Sequence, residues 1–391
     1  MRVATKLSYA ARWLPGLLLQ NILRRQPEGN AHLIFALADH FEPAIVPGCG
    51  KARAKIDEQE CRLERWCRDY PQSAGDWRDS EGYPFRHTYF YPAEQYHKGL
   101  IDRLAEHCEA GWGEIEIHLH HGMDAPDTAE NTRRQLIDFR DTLAMEHGCL
   151  SYANDSSIPR YAFVHGNFAL ANSAGGADCG VDSEVQVLAD TGCYADLTLP
   201  AAVGHPAQIS KTNSLYECAL PLHRKAAHRR GRSLVRGNPV TSFPLIVQGP
   251  LLLDFRTQSH FRRLGIENGA LTRPNPPSLH RLRLWKHAGI HVGGRRDWLF
   301  IKLHCHSMDP TQTDALAGPL MGNFLRELVE GAGARREILH FVTAREMVNV
   351  ILAACDGREG NPSAYRDYRF QRYRAGQRVA PRAVAHGTAK G

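Results

Sequence analysis

Short apolar runs of period two, separated by longer stretches of helical spacing, recur along the chain from residue 31 to residue 355. The spacing predicts strands at His32–His40, His87–Tyr91, Glu114–His121, Tyr161–His165, Tyr194–Leu199, Trp298–His304 and Glu337–Val342. Between them it predicts helices at Lys51–Tyr70, Ala93–Glu109, Asp127–His147, Ser183–Asp190, Ser278–His287, Thr311–Val329 and Thr343–Cys355. Strands that alternate with such helices pair in parallel, because a crossover helix brings the chain back to the same end of the sheet. The expected fold class is α/β. Residues 200–277 break the pattern: they are rich in Pro, Gly and Arg, with short apolar runs at Phe243–Val247 and Leu251–Phe255, and are expected to form an irregular or small antiparallel insertion.

Parity within the runs sorts side chains by face. In Glu114–His121, Ile115, Ile117 and Leu119 share one face while Glu116, His118 and His120 share the other. In the late run, Leu299, Ile301 and Leu303 lie opposite Phe300, Lys302, His304 and His306. Together with Asp39 and His40, which end the first run, these strand ends would put imidazoles and carboxylates at one rim of a parallel sheet. A divalent-metal hydrolase requires such a rim.

The 391 residues, with 43% hydrophobic content, suffice for a large core and a barrel of about 250 residues with additions. The net charge of +6 is concentrated at the C-terminus, where residues 358–391 carry eight Lys or Arg against Glu359 and Asp367. The remainder is therefore near neutral, and residues 356–391 are expected to be a basic surface tail rather than a specific nucleic-acid arm. The ten cysteines form no Cys-x-x-Cys pair, which argues against a zinc module or disulfide framework and for reduced thiols in a cytoplasm. Residues 1–30 form an amphipathic segment. Arg12 and Pro15 interrupt its apolar stretch, so it is expected to dock on the body, with peripheral contact to an anionic membrane surface through Trp13, Leu14, Leu17, Leu18 and Leu19 as the alternative. The basic run His223–Arg236 suits an acidic glycan, a phosphate or a solvated loop. The Gly-rich stretch at 174–180 lacks the phosphate-loop pattern, so nucleotide binding is not expected.

Five short segments, in order, resemble the motifs of the polysaccharide deacetylases, carbohydrate esterase family 4, over about residues 31–355. The first is Asp39-His40-Phe41-Glu42-Pro43, where the family has a strand ending Asp-Asp-Gly-Pro. The resemblance makes Asp39 the general base and His40 a metal ligand. The second, aligned on Glu116-Ile117, places the two family ligands on His120 and Asp124, with His118 and His121 as alternative ligands. The third falls on Val164-His165-Gly166-Asn167-Phe168, without the family's Arg, and the fourth on Gly192 to Asp196. The fifth, Leu303-His304, makes His304 the general acid. By this resemblance the fold is a distorted (β/α) barrel spanning 31–355 with the 200–277 insertion. His118, His165, Asn167 and His306 would contact substrate, and the cofactor is one divalent ion, Zn²⁺ first, with Co²⁺ or Mn²⁺ as substitutes.

The implied activity is removal of acyl groups from an amino sugar or polysaccharide during synthesis of a surface polymer, in the cytoplasm or at the inner face of its membrane. Two other classes compete. One is an amidohydrolase-like or phosphoesterase-like metal hydrolase, which also uses His-x-His strand ends; the other is a catalytically silent sugar-binding protein.

Overall fold

The seven strands and seven helices expected from the pattern all form. The computed structural model describes residues 3–24, 30–49, 52–153, 156, 158–201, 204–258 and 261–373. Strands β1 (Ala31–His40), β2 (His87–Pro92), β3 (Gly113–Leu119), β4 (Ser151–Ala153), β5 (Pro159–His165) and β6 (Cys193–Asp196) come first. The segment that follows contributes β7 (Leu215–Cys218), β8 (Gly231–Ser233), β9 (Leu245–Val247), β10 (Leu252–Gln258) and β11 (Phe261–Glu267). β12 (Trp298–Cys305), β13 (Glu337–Phe341) and β14 (Phe370–Arg372) complete the strands. The helices are α1 (Val3–Leu23), α2 (Ile56–Ala74), α3 (Lys98–His107), α4 (Ala129–Met145), α5 (Glu184–Thr191), α6 (Leu279–Ala288), α7 (Pro319–Glu330) and α8 (Ala344–Cys355). Lys51, where the first of the expected helices was to start, lies outside the described residues; that helix begins at Ile56, and the one expected from Thr311 begins at Pro319.

Among the described residues, twelve strands join in one mainly parallel sheet whose path runs β12-β1-β2-β3-β5-β6-β9-β7-β8. β1 is central. It pairs in parallel with β12 along one edge, and with β13 and then β2 along the other. Parity holds as expected. Leu33, Phe35, Leu37, Ile115, Ile117, Leu119, Leu299, Ile301 and Leu303 point outward into a core shared with α2 to α7. Ile34, Ala36, Ala38, Val164 and Phe300 point inward. Each fully buried Leu, Ile or Phe in these layers contributes about 1.5–3 kcal/mol relative to exposure.

The inner face is filled by α8. It opens with a capping box, Thr343 with Glu346, and every one of its residues is buried. Its polar side chains are satisfied inside. Arg345 pairs with Glu114 of β3 at 2.7 Å, Arg366 reaches Glu346 at 3.2 Å and Asp79 at 2.8 Å, and Asn349 donates to the Phe370 carbonyl at 2.7 Å. The pattern predicts this helix but not its layer, and it occupies the inside of the curled sheet. No ladder joins β12 to β6 or β9 among the described residues, so the strands do not form a closed ring. The gap is bridged by Lys302, whose Nζ donates to the carbonyls of Leu197 and Leu199 at 2.7 and 2.8 Å.

The 200–277 segment is only partly an appendage. β9 extends the main sheet in parallel beside β6, β7 and β8 add to it antiparallel, and β10–β11 forms a separate hairpin. Residues 202–203 and 259–260 lie outside the described residues. Two cations of the basic run are paired, Arg232 with Glu217 and Arg236 with Glu359. α1 docks through Trp13 and Leu17 against Leu251, leaving Leu18, Leu19, Ile22 and Leu23 exposed. Residues 1, 2 and 25–29 of the N-terminal segment lie outside the description. No described helix is long and apolar enough to cross a membrane.

The expected free basic tail is corrected over its first half. Phe370 is in the inner core and stacks on Tyr194 at 4.8 Å, β14 pairs with β4, and Arg372 meets Glu109 at 2.6 Å. An aromatic ring of this size buried beside paired arginines holds the segment to the body. Residues 374–391, with Arg374, Arg378, Arg382 and Lys390, lie outside the described residues.

Candidate metal centre

The register of the ladders brings the carboxyl ends of β1, β3 and β12 to one rim. Ala38 pairs with His304 and Asp39 with Cys305, so His40 emerges beside His306, with ring centroids 4.6 Å apart. β3 delivers His118 and His120 from the same inner face, and the His40 and His118 rings stand 4.9 Å apart. Glu42, two residues beyond His40, reaches into the middle. Its Oε1 lies 3.4 Å from His118 Nε2, 3.8 Å from His120 Nε2 and 3.9 Å from His306 Nε2. Four imidazoles therefore converge on one carboxylate. The donor atoms fall into two triads that share it, His40/Glu42/His306 and Glu42/His118/His120.

The inward nitrogens are prepared for a cation. His118 donates Nδ1–H to the Val164 carbonyl at 2.8 Å, and His120 donates Nδ1–H to Glu94 Oε1 at 2.7 Å. Each bond fixes the tautomer and leaves the Nε2 lone pair facing inward, as outer-shell partners of metal-bound histidines do. His118 Nε2 and His40 Nδ1 are buried without a hydrogen-bond partner. Such orphaned acceptors cost free energy unless something fills the space between them. Gly166 is required here: a Cβ on it would lie 2.2 Å from the His120 ring.

Electrostatics point the same way. Burial alone would raise the Glu42 carboxyl, but His118, backed by His120 and His306, outweighs it and brings it to about 2. Burial and the neighbouring imidazoles push His40 well below its ordinary value, so it holds a free lone pair. His120 is raised despite its burial, because Glu94 and Glu42 favour its charged form, and a cation at Nε2 would take the place of that proton. The group opens into a cavity of about 900 Å³ bordered by Glu42, Glu94, Arg53, Asn167, Asp124 and His306.

The other expected site residues are distributed around this group. Asp124 stands exposed at the cavity mouth, and Glu42 supplies the carboxylate at the centre instead. Asp39 is on the outer face: its Oδ2 lies 2.9 Å from His87 Nδ1, and its Oδ1 accepts from the Ser307 amide at 2.9 Å. Burial would raise this carboxyl, but His87 outweighs it and lowers it. His304 lies deeper on the inner face, its ring 6.3 Å from His40, with Nδ1 lacking a partner. Burial, then Lys302 and His306, hold it well below the ordinary imidazole range. Asn167 lines the cavity and its Nδ2 has no partner. His165 is fully buried on the far side of β3, next to His121 and Glu184. Asp196 is fully buried and accepts from the Thr198 hydroxyl at 2.7 Å, with burial raising it to about 7.

Sequence reasoning passed over Glu42 and Glu94. Both carry a usable signal, an acid two or three residues past the end of an expected strand. Comparison with family models finds no match, and comparison with curated proteins finds none either.

Proposed function

We propose that the chain is a divalent-metal-dependent hydrolase that removes acyl groups from an amino sugar or polysaccharide. The observation that carries the reading is the convergence of His40, His118, His120 and His306 on Glu42, with the inward nitrogens of His118 and His120 freed by Val164 and Glu94. Imidazole and carboxylate donors at an open strand rim suit Zn²⁺, with Co²⁺ or Mn²⁺ as substitutes. A bound ion would polarise an acyl carbonyl and lower the pKa of its water toward about 7. The chain's own groups do the rest. Glu42 brings negative charge among the imidazoles, and Glu94 and the Val164 carbonyl keep the ring protons on Nδ1. His304, neutral and unpartnered at Nδ1, is the candidate to take a proton from the attacking water and then return it to the leaving group. Asn167 Nδ2 is available to a substrate carbonyl or hydroxyl. Asp39, through His87 and the Ser307 amide, is a positioning residue for the β12 rim.

The deacetylase reading and its distorted barrel rest on the order of the five motifs, and the cavity is large enough for a sugar unit. A cytoplasmic site of action, with the exposed leucines of α1 against the inner leaflet, belongs to the same reading. A second reading is favoured by the sharing of Glu42 between two triads: a pair of ions bridged by Glu42 would suit phosphate-ester hydrolysis. The deciding experiment screens N- and O-acetylated glycans and sugar phosphates, measuring acetate and phosphate release with and without chelator. Chelator-sensitive acetate release with unchanged oligosaccharide length supports the first reading, and phosphate release the second. Metal binding without release of either product would leave a sugar-binding role.

A further inference from the structure

We infer that the chain holds a second, closed metal site of the structural zinc type, formed by His121, His165, Cys179 and Glu184. It is separate from the rim centre. His120 and His121 are consecutive, and they leave the end of β3 in different directions, His120 toward Glu42 and His121 toward Glu184.

The donors come from the residue just past β3 (His121), the end of β5 (His165), the loop before α5 (Cys179) and the first residue of α5 (Glu184). His121 Nε2 lies 2.9 Å from Glu184 Oε1, His165 Nε2 lies 3.7 Å from the same oxygen, and Cys179 Sγ lies 3.4 Å from Glu184 Oε2. All four donor atoms lie within 4.8 Å of one another, and all four residues are buried. A tetrahedral zinc site with bonds of about 2.0–2.3 Å has edges of about 3.3–3.6 Å, so the donors already approximate its corners. The His165 Nε2 atom is fully buried without a hydrogen-bond partner, aimed into this group. A bound cation would satisfy it.

The surroundings match a metal shell. His121 Nδ1 is 3.0 Å from Asp127 Oδ2, which in turn accepts from the Thr132 hydroxyl at 2.8 Å. A carboxylate behind a ligating histidine orients the ring and strengthens it as a donor. The loops are fastened together at the same point, with Asp127 N donating to the Cys179 carbonyl at 2.8 Å and Asp178 N donating to the Gly122 carbonyl at 3.1 Å. Gly122, at φ +66, permits this approach, since a Cβ there would sit 2.2 Å from the Cys179 carbonyl oxygen.

The proton balance is simple. Loading with a divalent cation releases the thiol proton of Cys179 and the proton shared between His121 Nε2 and Glu184. One thiolate and one carboxylate then neutralise the ion, which suits a sealed interior. Ligation through His165 Nε2 places that ring's proton on Nδ1, so the hydrogen bond that Nδ1 now accepts from the Asn167 amide at 3.3 Å has to open on loading.

The test is optical and does not depend on the activity of the rim centre, which contains no sulfur donor. The full chain, loaded with Co²⁺, should show thiolate-to-cobalt charge-transfer absorption together with the intense visible bands of a tetrahedral ion. The absorption should disappear in Cys179→Ser and persist in His118→Ala. Absence of charge-transfer absorption in the cobalt-loaded natural chain would overturn the inference even if Cys179→Ser does not fold. Its persistence in Cys179→Ser would do the same, and would assign the thiolate elsewhere.

Discussion

His120 and His121 are neighbours in the chain, yet they serve two regions of opposite character. His120 belongs to a group at the rim of the sheet, open to a cavity, where four imidazoles crowd one carboxylate and several nitrogens lack partners. His121 belongs to a sealed pocket with a thiol and a carboxylate, fastened by backbone hydrogen bonds between two loops. Closed sites of four donors stabilise folds, whereas sites that keep a position open do chemistry. Solvent access, more than the identity of the donors, separates the two.

Removing the nitrogens of one region while sparing the other should give the largest effect. His118→Ala combined with His120→Ala is expected to abolish metal-dependent hydrolysis, read by acetate release. The thiolate absorption of the closed pocket should be unchanged. Residual activity at the natural level would remove the rim group from the chemistry.

Asp39→Asn comes next. It replaces the buried carboxylate that His87 and the Ser307 amide bond to, and losing hydrogen bonds to a charged group costs about 1.5–3 kcal/mol, visible as a lower urea midpoint. Rim metal content should hold, because Asp39 faces away from Glu42. A rate loss of about 10²–10⁴ with stability intact would instead make Asp39 a general base.

Glu94→Gln should be milder. Weakening the partner behind His120 is expected to cost about 10- to 100-fold in rim metal affinity by competition titration, with the fold preserved. An unchanged affinity would detach Glu94 from the centre.

The smallest effect is in the pH dependence of the metal-free protein. Glu42 and Glu184 are each brought to about 2, below the ordinary carboxyl value, so their contribution is present above about 4.3 and is lost as pH falls toward 2. At His121, burial alone would lower the imidazole, but Glu184 and Asp127 outweigh it and raise it to about 12. Its contribution is full below about 6.5 and fades as pH rises toward 12. Chelated protein should therefore lose melting temperature above neutral pH, whereas loaded protein should resist, since thiolate ligation favours higher pH. Identical profiles with and without chelator would argue against ions at either region.

The elements were legible in the sequence because each has a clean period. Ile115, Ile117 and Leu119 announce their face by alternation, as do Leu299, Ile301 and Leu303. What was not legible is which layer an element joins. For α8 the spacing gave a helix without a layer, although Val348, Val350, Ile351, Leu352 and Ala353 leave it little polar face, and helices apolar all round belong in interiors. The site was legible where it coincides with strand ends, as for His40, His118, His120 and His306. Glu42 and Glu94 act from the turns just beyond those ends, Cys179 comes from a loop whose path no period describes, and Glu184 opens an expected helix without any sign of what it faces. Local spacing specifies a strand, but only three-dimensional closure brings a loop carboxylate to a histidine.

The pairing of β1 with β13 has a consequence for how the chain is made. Residues 31–35 of an early strand hydrogen-bond to residues 337–341, which leave the ribosome late. Until then the nascent chain carries an apolar strand, with Leu33, Phe35 and Leu37 on one side and Ile34 on the other, beside an uncovered edge. Such non-local partners slow folding, and exposed edges recruit other chains. Nascent chains arrested before Glu337 are thus expected to remain bound to chaperones, and a protease-resistant body should emerge only after α8 has cleared the exit tunnel.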